Sequence, residues 1–196
     1  MPLRIDADAR ATQIADASLR VLERDGLTGL SVRGVAEEAG IATASLRRAF
    51  PTQHALREHC LLLIEERATA RIRALDASDR DLVDQLLAQL LPIDRERRIE
   101  FVAQVQLGVL ALTDASLRPA MRRLDEAVTR GCKLALGLLA ESGGLAPSRD
   151  LAFETRRLRA LLDGIAMGML WSDDAERVEL LHRTLTEHLD GLARDA

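Results

Sequence analysis

The chain has 196 residues, 47% of them hydrophobic and 30% charged, with a formal net charge of −4 at pH 7. That apolar fraction excludes a disordered chain and is enough for one substantial core or two small ones. The longest apolar stretches, such as 105–112, fall short of the roughly 18–20 residues of a membrane span, and the segment 1–10 is charged, so a soluble protein with no export signal or membrane anchor is expected. Cys60 and Cys132 lie far apart and in no metal-ligand spacing, which reads as two reduced, buried thiols of a cytoplasmic protein. Every basic residue except Lys133 is arginine, a compositional bias that by itself carries no functional meaning.

With no tyrosine, three phenylalanines and one tryptophan, and no alternation of period two, the chain lacks the marks of strands. An all-α fold follows. Apolar residues at helical spacing, punctuated by Gly, Pro or Asp, predict about nine helices over 9–24, 32–39, 43–49, 53–74, 79–91, 95–113, 117–142, 150–171 and 175–194. Three short helices followed by six longer ones divide the chain into an N-terminal domain, 1–54, and a helical bundle, 55–196. Gly143, Gly144 and Pro147 mark the clearest loop.

The first helix carries the stripe Ile14, Ala17, Val21 and Leu22 and stops at Gly26. Ser31 is placed to cap the second, whose inward face is Val32, Val35, Ala36 and Ala39, and Gly40 supplies the left-handed residue that turns the chain. Ile41, Leu46 and Phe50 are expected to close the small core. Thr43, Ala44, Arg47 and Arg48 are left on the outer face of the third helix, where short and basic side chains can approach a major groove. This is the layout of a helix-turn-helix.

Gly26, Ser31-Val-Arg33, Val35-Ala36, Ala39-Gly-Ile41, Ser45-Leu46, Phe50-Pro-Thr52 and Leu56 together make the segment from about Arg10 to Leu56 resemble the TetR family of transcriptional regulators. The resemblance implies a homodimeric, ligand-responsive DNA-binding protein, most often a repressor, with no cofactor and no metal. Carried over residue by residue, it implies DNA contact by Ser31, Arg33, Thr43, Ala44, Ser45, Arg47, Arg48, Thr52 and Gln53. Two positions depart from the family pattern: Arg47 stands where a tyrosine is frequent and Gln53 where a lysine is frequent. Arg47 substitutes a charged, bidentate donor for a hydroxyl, whereas Gln53 keeps a hydrogen bond and loses the charge. Ala42 occupies the usual capping position of the recognition helix, so Thr43 is expected to cap it one residue later.

Charge is the counter-argument. Residues 1–60 hold eight arginines and eight acids, and the rest of the chain 19 basic and 23 acidic residues. A neutral DNA-binding domain must work through the distribution of its charges, with Arg33, Arg47 and Arg48 on the motif and Glu37 and Glu38 turned away. The alternative reading is a helical-bundle interaction or small-molecule-binding module that has lost DNA binding.

In the larger domain, Leu158, Leu161, Leu162, Ile165 and Met169, with Gly164 and Gly168 four apart, and Val178, Leu181, Leu185, Leu189 and Leu192 form two apolar stripes, read as the dimer interface. The family resemblance implies a ligand cavity, for which Phe101, Gln104, Val105, Gly108, Met121, Leu124 and Val128 are the candidates. So aliphatic a set suits an apolar or flexible ligand. Enzyme readings are thin. Glu179 and His182 have the E-x-x-H spacing of di-iron bundles, but His54, His59 and His188 lack a Glu three residues earlier, so His182 reads as a polar or interface residue. No phosphate loop or nucleophile elbow is present.

Overall fold

The computed structural model describes residues 2–76, 78–172 and 175–194, with the side chains of residues 2–8, Thr28, Asp79 and Arg177 outside the description. Arg4, Asp6 and Asp8, counted in the charge balance above, therefore lie among side chains not described. The described residues form nine α-helices and no strand: α1 (Pro2–Gly29), α2 (Val32–Glu38), α3 (Thr43–Ala49), α4 (Gln53–Arg73), α5 (Asp79–Ala88), α6 (Arg95–Thr113), α7 (Arg118–Glu141), α8 (Leu151–Leu170) and α9 (Ala175–Gly191), with one 3-10 turn (Ala115–Leu117) before α7. None of these helices is long and apolar enough to cross a membrane.

The chain resolves into two compact units, one of residues 1–67 and 102–121, the other of 68–101 and 122–196. The expected boundary at residue 54 falls inside the first. The reason is core size: α2 and α3 have seven residues each and cannot bury an inner face by themselves. Leu56, Cys60, Leu61 and Ile64 of α4 and Ala103, Leu107 and Ala111 of α6 complete their unit, alongside Ala17, Val21, Leu22, Leu27, Val35, Ala36 and Leu46.

Local signals place the ends of these helices. The Ser31 hydroxyl accepts from the Gly34 N–H at 3.1 Å. At the other end of α2, Gly40 takes φ 64°, its N–H bonds the Glu37 carbonyl at 3.1 Å and the Ile41 N–H bonds the Ala36 carbonyl at 2.9 Å, which is a Schellman stop. Gly143, φ 78°, ends α7 the same way, with the Gly144 N–H reaching Leu139 O at 2.8 Å. Asp150 then caps α8, accepting from the N–H groups of Ala152 and Phe153 at 2.8 and 3.2 Å. The first helix differs from expectation. Gly26 does break it, at φ 68° and ψ −175°, but helical turns resume to Gly29 instead of opening into a loop.

The cap expected at Thr43 is also absent. Ala42 holds the capping position of α3 in extended conformation with no side-chain bond, and Thr43 is already helical. A methyl group has nothing to offer the first N–H groups of the helix.

The second unit buries Val83, Leu86 and Leu87 from α5, Cys132, Ala135, Leu136 and Leu139 from α7, the inner face of α8 and the end of α9 in one cluster. This corrects the dimer assignment. Leu158, Leu162, Ile165, Met169, Leu185 and Leu189 are all buried inside this single chain, and Leu161, Val178 and Leu181 pack partly buried against them. The fully buried members of the stripes have no surface left for a partner, whereas Leu161, Val178 and Leu181 keep part of theirs. A stripe's helical period is the same whichever partner covers it, so periodicity alone could not tell the two apart.

Two buried acids in this unit are paired, as burial of charge demands. Glu154 receives Arg149 at 3.0 Å and Arg157 at 3.1 Å, while Arg149 also donates to the Gly191 and Arg194 carbonyls at 3.2 and 3.0 Å, tying the start of α8 to the end of α9. Glu100 receives Arg71 in bidentate fashion at 2.9 and 2.6 Å.

Two measurements check this account. Leu185→Glu puts an unpaired carboxylate into the core, so unfolding free energy should fall by about 4 kcal/mol or more, with helical circular dichroism lost on mild heating; a folded monomer of normal melting temperature would return Leu185 to an interface. Ala42→Ser supplies the missing cap and should stabilise by about 0.5–2 kcal/mol, a rise of a few degrees in melting temperature.

Candidate nucleic-acid interface

Helix α3 turns Leu46 inward, where it is buried, and leaves Ala44, Arg47 and Arg48 exposed, with Thr43 and Ser45 half-buried at the flanks. Both arginines sit in its last turn, where the helix dipole favours a cation. Arg33 of α2 is exposed as well. Among the described residues, Arg33, Arg47 and Arg48 have no ion-pair partner.

Three acids of this unit are paired with arginines away from α3. Glu38 takes Arg20 at 2.7 Å and Arg24 at 3.1 Å, and hydrogen bonds first from Arg20 and then from Arg24 hold its carboxyl below the usual range. Asp25 takes Arg24 at 2.9 Å and is lowered by that hydrogen bond. Asp16 takes Arg67 at 2.8 Å. The expectation that Glu38 turns away is thereby given a cause, since it faces the arginines of α1; Glu37 is solvent-exposed. Within a segment of zero formal charge, Arg33, Arg47 and Arg48 thus stand unpaired on α2 and α3.

Three of the nine residues assigned to DNA contact spend polar atoms internally. Ser31 caps α2, the Thr52 hydroxyl accepts from the Ala55 N–H at 3.0 Å, and Gln53 Nε2 donates to the Leu30 carbonyl at 2.9 Å. Gln53 thus serves the scaffold that holds α3, by fixing Leu30, between α1 and the cap of α2, to the start of α4.

The scaffold has two further members that no spacing rule signalled. Gln13 Nε2 donates to the Ala39 carbonyl at 2.6 Å, joining α1 to the end of α2. Gln106 of α6 accepts from the Leu27 N–H and lies against Gly26, where a Cβ would meet its side-chain nitrogen at 2.5 Å. Gly26 is therefore required twice, for its positive φ and for this close approach. The partners stand 79 positions apart in the chain, beyond the reach of any local motif.

The residues assigned to a ligand cavity divide between the units. In the first, Gln104 and Val105 are half-buried and a Cβ at Gly108 would meet the Sδ and Cε of Met121 at 3.9 Å. In the second, Leu124 is buried, and Phe101 and Val128 pack against the core. His182 is half-buried, and among the described residues no group of three His, Cys, Asp or Glu is gathered to hold a metal ion.

Comparison with known proteins agrees with this geometry. A family model described as bacterial regulatory proteins, tetR family, matches residues 14–60, and one described as BetI-type transcriptional repressor, C-terminal, matches residues 79–194. The chain is 28% identical to the HTH-type transcriptional regulator PksA of Bacillus subtilis (strain 168), over 98% of this chain and 94% of that protein. A TetR transcription regulator from Haloarcula marismortui superposes with TM-score 0.80 at 24% identity, covering 94% of this chain and 98% of its own. The multidrug binding protein EbrR, solved with ethidium, is 28% identical with TM-score 0.62, covering 91% and 98%. The second family model alone spans more than half of the chain, and the chain belongs to the TetR family, as a DNA-binding transcriptional regulator and not an enzyme.

Proposed function

We propose that the chain is a cytoplasmic, homodimeric, ligand-responsive repressor in which the segment 1–54 reads an operator and the segment 55–196 pairs the subunits and takes up the ligand. The observation that carries the DNA part is the outer face of α3, with Arg47 and Arg48 exposed and unpaired beside Ala44. A short helix of this kind reads few base pairs, so two copies, docked about one helical turn or roughly 34 Å apart, supply the specificity that one lacks.

The dimer reading moves to the opposite face of α8. Phe153, Arg157, Ala160, Gly164, Met167 and Trp171 follow one another at spacings of four and three, and all are exposed. Trp171 is 76% exposed and Phe153 50%, and Leu180 of α9 is 50% exposed. Apolar groups gathered on one helix face favour association. Gly164 adds a specific argument: a Cβ there would meet nothing within 4 Å of its own chain. Glycine in an exposed helix costs roughly 1 kcal/mol against alanine, and close approach of a second α8 about a two-fold axis gives that cost a reason.

EbrR was solved with ethidium, an aromatic cation. Stacking or cation-π recognition needs rings, and of the chain's aromatic residues Phe50 lies beside α3, Phe153 and Trp171 are exposed, and Phe101 alone packs against the core of the second unit. This composition supports a neutral apolar ligand instead.

The reading is tested by gel shift against the intergenic DNA upstream of the protein's own gene. Arg47→Ala should weaken binding to operator and scrambled DNA alike and lower the salt slope by about one, whereas Thr43→Ala should relax preference at particular base pairs; equal losses on both DNAs for both variants would remove α3 as the reading helix. For the dimer, Gly164→Glu should convert dimer to monomer in sedimentation and reduce operator affinity about tenfold or more, with helical content and melting temperature retained. A dimer of unchanged stability would place the interface elsewhere.

A further inference from the structure

We propose that the DNA-binding unit carries a small-molecule site of its own, a cavity beneath α3 that takes a compact carboxylic acid with an apolar body. The cavity holds about 320 Å³, at the lower end of the roughly 300–1,000 Å³ typical of small-molecule pockets. Ile14 of α1, Ile41 of the turn, and Leu46 and Phe50 give it an apolar wall, and the short side chains of Ala11 and Ala49 leave the space open.

Two independent observations mark it as a site. First, the small core expected to close over Ile41, Leu46 and Phe50 does not close: Leu46 is buried, while Ile41 and Phe50 remain only partly so and line the cavity. An apolar body seated against them would take that exposed apolar surface out of water. Second, the polar groups of the lining are Arg10, Ser45 and His59, with no Asp or Glu among them. Among the described residues Arg10 has no carboxylate partner, and its planar guanidinium can donate two parallel hydrogen bonds to one carboxylate, with the Ser45 hydroxyl as a further donor. The His59 ring lies 4.7 Å from the Phe50 ring, tilted by 37°, and burial pushes its pKa down, so at neutral pH it extends the apolar wall. The combination favours an anionic head on an apolar body over a cation or a neutral alcohol.

The acid would take up Ser45, which belongs to α3, and set a negative charge beneath the helix that meets phosphate. Operator affinity should therefore fall on binding, and by linkage the operator should weaken the acid by the same factor. That consequence rests on α3 being the DNA-reading helix; occupancy of the cavity does not.

The test uses the full chain with 3-phenylpropanoate and 3-phenylpropan-1-ol as matched probes, by calorimetric titration and by amide shifts in nuclear magnetic resonance. The acid should bind about tenfold more tightly than the alcohol, shifting amides of residues 10–14, 41–50 and 59. Arg10→Ala should remove the difference between the probes at unchanged melting temperature, and Ala49→Leu, which fills the cavity, should abolish both bindings. Equal affinity of the two probes, a preference that survives Arg10→Ala, or shifts confined to residues 122–196 would each overturn the site. Operator binding without acid is measured in parallel. Its failure would remove the repressor reading and leave the site standing, whereas operator affinity unchanged by bound acid would remove the coupling.

Discussion

A helix of seven residues is not stable on its own in water, and α3, the second helix of the helix-turn-helix, has seven. Nucleation is too costly, and too few hydrogen bonds follow it, for α3 to persist without tertiary support. Its orientation is therefore set by what lies behind it. Leu46 is the anchor in the core, the Schellman stop at Gly40 sets the angle at which the chain enters the turn, and three glutamines act as cross-ties: Gln13 to Ala39, Gln53 to Leu30 and Gln106 to Leu27. Each tie satisfies a backbone group near an end or break of a helix, where such groups have no partner within the helix. Glutamine suits this work because its neutral amide can donate or accept without a charge to desolvate.

The same economy governs the electrostatics. Exposed ion pairs such as Arg20–Glu38 and Arg24–Asp25 add little to stability. Their effect is on distribution, since they pair acids of α1 and α2 with arginines of α1 and leave the guanidinium groups of Arg33, Arg47 and Arg48 unopposed. Net charge is then a poor guide to affinity for a polyanion, whose field at close range is met by the nearest unpaired groups.

Local chemistry was legible in the sequence wherever one residue decides one backbone feature. Ser31, Gly40 and Gly143 could each be assigned from type and spacing, and each holds its expected place, while Gly26 breaks its helix as expected but is followed by further helical turns. Partnership was not legible. Helix α8 carries two faces, and the one rich in leucine, which reads as the sticky face, is consumed by the chain's own core. The other contains Arg157, Ala160 and Gly164, so a count of apolar residues passes over it, and its meaning emerges only once burial shows which face remains open. Gln106 was invisible for a different reason: its value lies in a contact with Gly26, and a glutamine in a helix has no pattern of its own. Even the capping position of α3 illustrates the limit, because Thr43 offers a suitable hydroxyl one residue too late for the geometry of the turn.

These constraints also bear on what the protein can sense. Burial pushes the thiols of Cys60 and Cys132 up to about 11, so at neutral pH both stay protonated and are poor nucleophiles toward oxidants. Redox chemistry at cysteine is thus disfavoured as an input. A ligand acts differently, because it need only bind two arrangements of the chain unequally to shift their balance. The unit that holds α3 is well suited to register such a bias. Its recognition helix is held by a few contacts instead of by its own hydrogen-bond ladder, so a modest binding energy spent against any one of them is large relative to what fixes the helix in place.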